Sequence, residues 1–224
     1  MMKHKRIAVT GGFGVLGRAI VRRLSQAGGT PIALDLAPVP DDWQGSAIGG
    51  IDISDPDAAT HAMAQLKDEG GLDGLVNVAG GFTWQTVIEG DVDTWDRLYR
   101  INLRTALVMS RAAVPLLRST GGAIVNIGAA AATKAAAGMG AYTASKAGVA
   151  RLTEALAEEL KDEGVRVNAV LPSIIDTPTN RAEMPDAEFS RWVEPDALAN
   201  VVVFLLSDEA AAVTGALVPV TGRV

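Results

Sequence analysis

The chain has 224 residues, 48% hydrophobic but only 4% aromatic, with 20 basic side chains against 26 acidic ones and no cysteine. That length suits one domain whose core is built from Ala, Val, Leu and Ile. A net charge of −6 without a basic patch argues against a nucleic-acid partner, and the lack of cysteine excludes disulfides and thiolate chemistry, as expected of a cytoplasmic protein.

In chain order, the basic residues 3–6 read as a solvated terminus, because Gly11 and Gly12 interrupt any apolar segment that could make them a targeting signal. Short continuous apolar runs follow at 7–10, 31–35, 47–51, 75–78, 123–127, 166–171 and 216–220. Continuity rather than alternation is the pattern of strands buried on both faces. Between them lie amphipathic stretches at 16–27, 57–69, 94–118, 142–163 and 196–206, each expected as one helix. Strand–helix alternation predicts a single-domain α/β Rossmann fold over residues 1–224, a doubly wound parallel seven-stranded sheet with helices on both faces. Residues 173–194 show no clear period. A connection of that length inside a compact domain predicts a lid or substrate-binding loop without regular structure. No apolar run approaches the roughly 18 residues of a membrane span, and His4 and His61 form no metal-ligand spacing.

Two stretches carry chemistry. In "IAVTGGFGVLGRAIVRRL", Gly11, Gly14 and Gly17 lie between a strand and a helix. Glycine lets backbone approach a phosphate, and the helix N-terminus supplies free N–H groups to a pyrophosphate. The second run ends at Asp35, whose carboxylate can accept hydrogen bonds from ribose hydroxyls and would repel a 2′-phosphate. With Leu36 and Ala37 next, no cation neutralises it, which favours NAD(H) over NADP(H). In "NIGAAAATKAAAGMGAYTASK", Tyr142 and Lys146 stand four apart and so share a helix face. A nearby ammonium is expected to lower the phenol's pKa and suit it to acid–base work.

With these motifs in order, the chain resembles the short-chain dehydrogenase/reductase family over nearly its whole length. Residues 10–17 resemble the family's nucleotide loop, with Val15 where many members have glycine. "NVAG" (77–80) and "NAVLP" followed by Thr177 resemble further cofactor segments. The resemblance implies cofactor contacts from Gly11, Gly14, Val15, Leu16, Gly17, Asp35, Asp52, Ile53, Asn77, Ala79, Gly80, Pro172 and Thr177, joined by Tyr142 and Lys146. It also implies catalysis by Tyr142 and Lys146, with Asn102, forty residues before the tyrosine, holding a water chain behind the lysine. A homodimer or homotetramer is implied as well, formed through helices that carry Ala106, Ala112, Ala113, Ala147 and Ala150.

Ala129 occupies the place, thirteen residues before Tyr142, where the family usually has a serine. A lost donor of this kind can cost about 3 kcal/mol of transition-state stabilisation. Either Thr133 supplies the hydroxyl, or the substrate spreads its charge over a conjugated ring, with Phe82 and Trp84 as stacking groups. Residues 170–192 and the alanine-rich segment are similar to the dihydropteridine reductase branch of the family. This resemblance implies NADH-dependent reduction of a planar substrate, with quinonoid dihydropteridine leading. The alternatives are an oxidoreductase of another carbonyl or alcohol, and a catalytically silent NAD-binding regulator.

Overall fold

The computed structural model describes residues 2–224. Seven strands form one sheet in the order β3-β2-β1-β4-β5-β6-β7, every neighbouring pair parallel. They are β1 (Arg6–Thr10), β2 (Thr30–Leu34), β3 (Ser46–Ile48), β4 (Gly74–Asn77), β5 (Ala123–Ile127), β6 (Arg166–Pro172) and β7 (Leu217–Val220). The central strands β4 and β5 are buried at every position, as their unbroken apolar runs require once helices cover both faces.

One face carries α2 (Pro56–Asp68), α4 (Thr105–Leu117) and α5 (Gly140–Leu160), which enclose Met63, Leu66, Met109, Leu117, Ile124 and Leu156. The other carries α1 (Val15–Gln26) and α7 (Pro195–Leu206), packed around Ile7, Val9, Ile20, Val125, Val202 and Leu206. The expected doubly wound α/β architecture is therefore present. A buried polar chain crosses its centre: the Asn77 amide donates to Ser110 and to Asn126, and the Asn126 amide donates to Thr153. It links α4 to α5 through β4 and β5.

Three boundaries differ from expectation. β3 stops at Ile48 rather than continuing to Ile51, because Gly50 adopts φ +71° and turns the chain before Ile51 returns to Asp35. The stretch expected as one helix over 94–118 is α3 (Val92–Leu98), a π-helical turn (Tyr99–Arg104) and α4. Residues 173–194 are also more ordered than expected. Thr177 caps α6 (Pro178–Glu183), a 3₁₀ turn spans Phe189–Arg191, and Ile175 bridges Val193 in parallel. The Asp176 carboxylate takes both Arg181 donors at 2.5 and 2.6 Å, while Phe189 lies under the guanidinium.

Candidate active site

The parallel sheet brings the loops that follow β1, β4, β5 and β6 to one edge, beside the point where the strand order reverses. A cavity of about 1550 Å³ opens there. Gly11 turns the chain out of β1 with φ +61°, and its backbone lies so near Ala79 that a Cβ would meet that residue at 3.0 Å. A Cβ on Gly17 would sit 2.1 Å from the Gly11 carbonyl, so α1 can pack this closely on the turn only with glycine there. Thr10 joins the two loops, its hydroxyl accepting the Val78 and Ala79 amides at 3.0 and 3.1 Å.

α1 begins at the cavity with Gly14 as its N-cap. It has no side-chain cap and no acidic residue in its first turn. The first bond into the helix runs from the Arg18 amide to Gly14. The amides of Val15, Leu16 and Gly17, which line the cavity, are left for an external acceptor. A Cβ on Gly14 would make only ordinary van der Waals contact, 3.4 Å from the Gly11 carbonyl. A dinucleotide pyrophosphate fits this uncapped, uncharged terminus.

Asp35 lies one residue past β2, its carboxylate accepting the Phe13 and Ala37 amides at 3.0 Å each. It lines the cavity beside exposed Leu36, and among the described residues no cation is bonded to it. Asp52 lies further along. Ser54 donates to it through both amide and hydroxyl, and Arg100 approaches at 2.7 Å. The Ser54 hydrogen bonds first, then the Arg100 guanidinium, hold the Asp52 carboxyl below the usual carboxylate range. Ile53, Ala79, Gly80, Pro172 and Thr177 complete the expected lining.

Tyr142 and Lys146 reach the cavity from the first turns of α5. The Lys146 ammonium is buried and donates to the Ile127 carbonyl at 2.7 Å. Phe82 packs edge-on against the Tyr142 ring, centroids 5.0 Å apart. Ala129, 3% exposed, together with Ala130 and Ala131, gives the wall methyl groups where a hydroxyl was the expectation. Trp84 lies across Gly138, whose φ of +75° and missing Cβ leave room for the indole.

Asn102 does not line the cavity. It stands on the π-helical turn, where the widened backbone aims its amide at the Gly81 backbone. It accepts from Gly81 N–H at 2.9 Å, donates to Gly81 C=O at 3.0 Å and donates to the Ser145 hydroxyl at 3.0 Å. Its carboxamide oxygen and the Lys146 ammonium both border Gly80, so a Cβ there would collide with Asn102 at 2.4 Å. Asn102 is thus a positioning residue for the loop beside the lysine.

Four expectations are corrected. Asn77 is not among the residues that line the cavity: it falls on β4 opposite Asn126, and its amide nitrogen donates to Ser110 and Asn126, while its buried carbonyl oxygen has no partner among the described residues. Thr133 does not replace the serine; its hydroxyl turns back onto Ala130 at 2.9 Å within the 3₁₀ turn Ala130–Thr133 and does not line the cavity. The lysine does not lower the phenol here: burial pushes Tyr142 up to about 12 and Lys146 down to about 8. Desolvation disfavours both charged forms, so both lose charge together. Finally, Ala106, Ala113 and Ala150 are buried within the chain itself, which leaves half-buried Ala112 and Ala147 of the set proposed for helix pairing. Arg97, Arg100, Gly81 and Glu183 line the cavity without having been singled out. The first two sit in a helical stretch whose charges look like solvated surface, so no sequence signal marked them.

Residues 14–222 match the family model described as enoyl-(acyl carrier protein) reductase. The chain is 34% identical to 4-formylbenzenesulfonate dehydrogenase of Comamonas testosteroni, over 99% of this chain and 98% of that one. It is 31% identical to meso-2,3-butanediol dehydrogenase of Serratia marcescens, over 98% and 94%. Among solved structures, 3-ketoacyl-(acyl-carrier-protein) reductase of Brucella melitensis, complexed with NADH, superposes with a TM-score of 0.87 at 26% identity, covering 100% of this chain and 99% of that one. The chain belongs to the short-chain dehydrogenase/reductase family and is a nicotinamide-dependent oxidoreductase.

Proposed function

We propose that the protein is an NADH-dependent reductase of a planar, conjugated substrate, with Tyr142 delivering the proton. The observation that carries this is the combination of a half-buried Tyr142, whose desolvation holds its phenol above its usual range, with an all-methyl wall at Ala129–131. The cofactor, when bound, supplies hydride to the acceptor atom. Tyr142, whose pKa of about 12 keeps it protonated, gives its O–H proton to a heteroatom of the substrate: a carbonyl C=O becomes H–C–O–H, whereas in a quinonoid ring hydride and proton end on two ring nitrogens and the double bonds between them shift. Lys146, held by Ile127, returns positive charge beside the resulting phenolate. Asp35 selects a free ribose hydroxyl over a 2′-phosphate, which supports NAD(H). Phe82 and Trp84 offer aromatic surface for a ring.

Quinonoid dihydropteridine suits a site without the serine, and the likeness of residues 170–192 to that branch supports it. A second reading, an aromatic or alicyclic carbonyl, is favoured by relatives named for 4-formylbenzenesulfonate and trans-4-hydroxycyclohexanecarboxylate. A panel of both substrate types with NADH and NADPH decides between them. The Tyr142→Phe variant should lose roughly 10²–10⁴-fold in kcat while still binding NADH. Full turnover by that variant refutes the mechanism, and NADH binding without turnover of any panel member favours a silent regulator. We also propose a homodimer or homotetramer; a monomer in light scattering at micromolar concentration would contradict it.

A further inference from the structure

Six charged side chains line the cavity: Asp35, Asp52, Arg97, Arg100, Lys146 and Glu183. Arg100 is paired with Asp52, Lys146 is bonded to a carbonyl, and Asp35 accepts backbone amides. Arg97 is the cation left over. Among the described residues it makes no ion pair. Its guanidinium donates to the Thr83 hydroxyl at 2.5 Å, which fixes its position while leaving other donors of the fork free. Asp91, whose carboxyl feels its charge, is committed to the Thr94 amide and hydroxyl at the cap of α3.

Thr83 places this cation at the reacting end. It stands between Phe82, which touches the Tyr142 ring, and Trp84, which covers Gly138 just before α5. A guanidinium with free donors, in a cavity that Phe82 and Trp84 also line, suits a ring that carries an oxyanion, because its planar fork matches a carboxylate or sulfonate in two-pronged fashion. Glu183 on α6 is, among the described residues, the other cavity charge without a salt-bridge partner, and it would repel an anion. The acidic group therefore belongs at α3, away from α6.

We propose that Arg97 is the anchor for an anionic substituent, carboxylate or sulfonate, on the flat substrate. The proposal rests on the reductase reading above and, within it, favours the second substrate type, a carbonyl compound that bears an acid group, over quinonoid dihydropteridine, which carries none. It is tested with benzoate and benzamide as probes, titrated calorimetrically with and without saturating NAD⁺, alongside NADH binding followed by nicotinamide fluorescence. Benzoate should bind about tenfold more tightly than benzamide, and Arg97→Gln should erase that preference while leaving NADH affinity unchanged. Arg97→Lys should keep part of it, because charge survives without the fork. Equal binding of the two probes, binding of neither, or a preference that survives Arg97→Gln overturns the proposal. Failure to bind NADH would instead sink the reductase reading, and the probe ratio without cofactor would still decide the role of Arg97.

Discussion

Lys146 carries a stability cost that can be removed. In the folded chain burial lowers its pKa from 10.5 to about 8. At 1.36 kcal/mol per decade of proton activity, carrying the charge below pH 8 costs the fold about 3 kcal/mol. Between pH 8 and 10.5 the unfolded chain binds the proton and the folded chain does not, so stability rises with pH across that window and the cost is gone above it. Lys146→Met keeps the volume and removes the amine. It also gives up the hydrogen bond to Ile127, about 1 kcal/mol, and so leaves a net gain of about 2 kcal/mol at pH 7. For a chain of this length that is a rise of roughly 4–8 °C in Tm. At pH 9.5 the remaining charge cost has shrunk to about the worth of the lost hydrogen bond, and the two proteins should melt together. The Tyr142 pKa of about 12 acts in the opposite sense, lowering stability above pH 10, and is common to both proteins. Denaturant or thermal unfolding without cofactor, at pH 7 and 9.5, reads the difference. A variant less stable than wild type at pH 7, or a gap that does not change with pH, refutes the reasoning.

Two further outcomes follow from the cavity walls. Asp35→Ser should weaken NADH binding by about tenfold and bring NADPH closer to it, because the carboxylate that takes the ribose hydroxyls and repels a 2′-phosphate is gone. An unchanged NADH-to-NADPH ratio in a fluorescence titration would remove Asp35 from that role. Ala129→Ser places a donor on the methyl wall. It should raise kcat/KM on a simple carbonyl by about 10- to 100-fold and change turnover of a charge-dispersing ring less than about threefold. A large gain on the ring substrate would mean that the alanine is not matched to it.

The sheet was legible because strands covered on both faces must be apolar throughout, and β4 and β5 are. The glycine turn, Asp35 and the Tyr142–Lys146 pair could be placed because each depends on spacing within one short segment. Asn102 could be located, but its action could not, since that depends on a π-helical turn that no glycine or proline announces. α6 was missed although Thr177 and Pro178 form a cap and first-turn signal. The fate of Asn77 depended on which strand lay beside β4, and that of Thr133 on a hydroxyl turning back into its own turn. Arg97 and Arg100 line the cavity only because the chain brings α3 and the π-helical turn against loops 14 to 48 residues away in sequence. Local pattern does not encode such a meeting.

The Thr10 hydroxyl that holds Val78 and Ala79 has a consequence for how the enzyme can diversify. It makes the turn after β1 and the turn after β4 one rigid piece. The conformational entropy of shaping the nucleotide half of the cleft is therefore lost when the chain folds and not again when the cofactor arrives. The substrate half is assembled from other parts, the segment around Phe82 and Trp84 and the segment clasped by Asp176 and Arg181, neither of which shares a hydrogen bond with Thr10. Mutations can accumulate in that half and change which substrate is accepted without loosening the grip on the common cofactor.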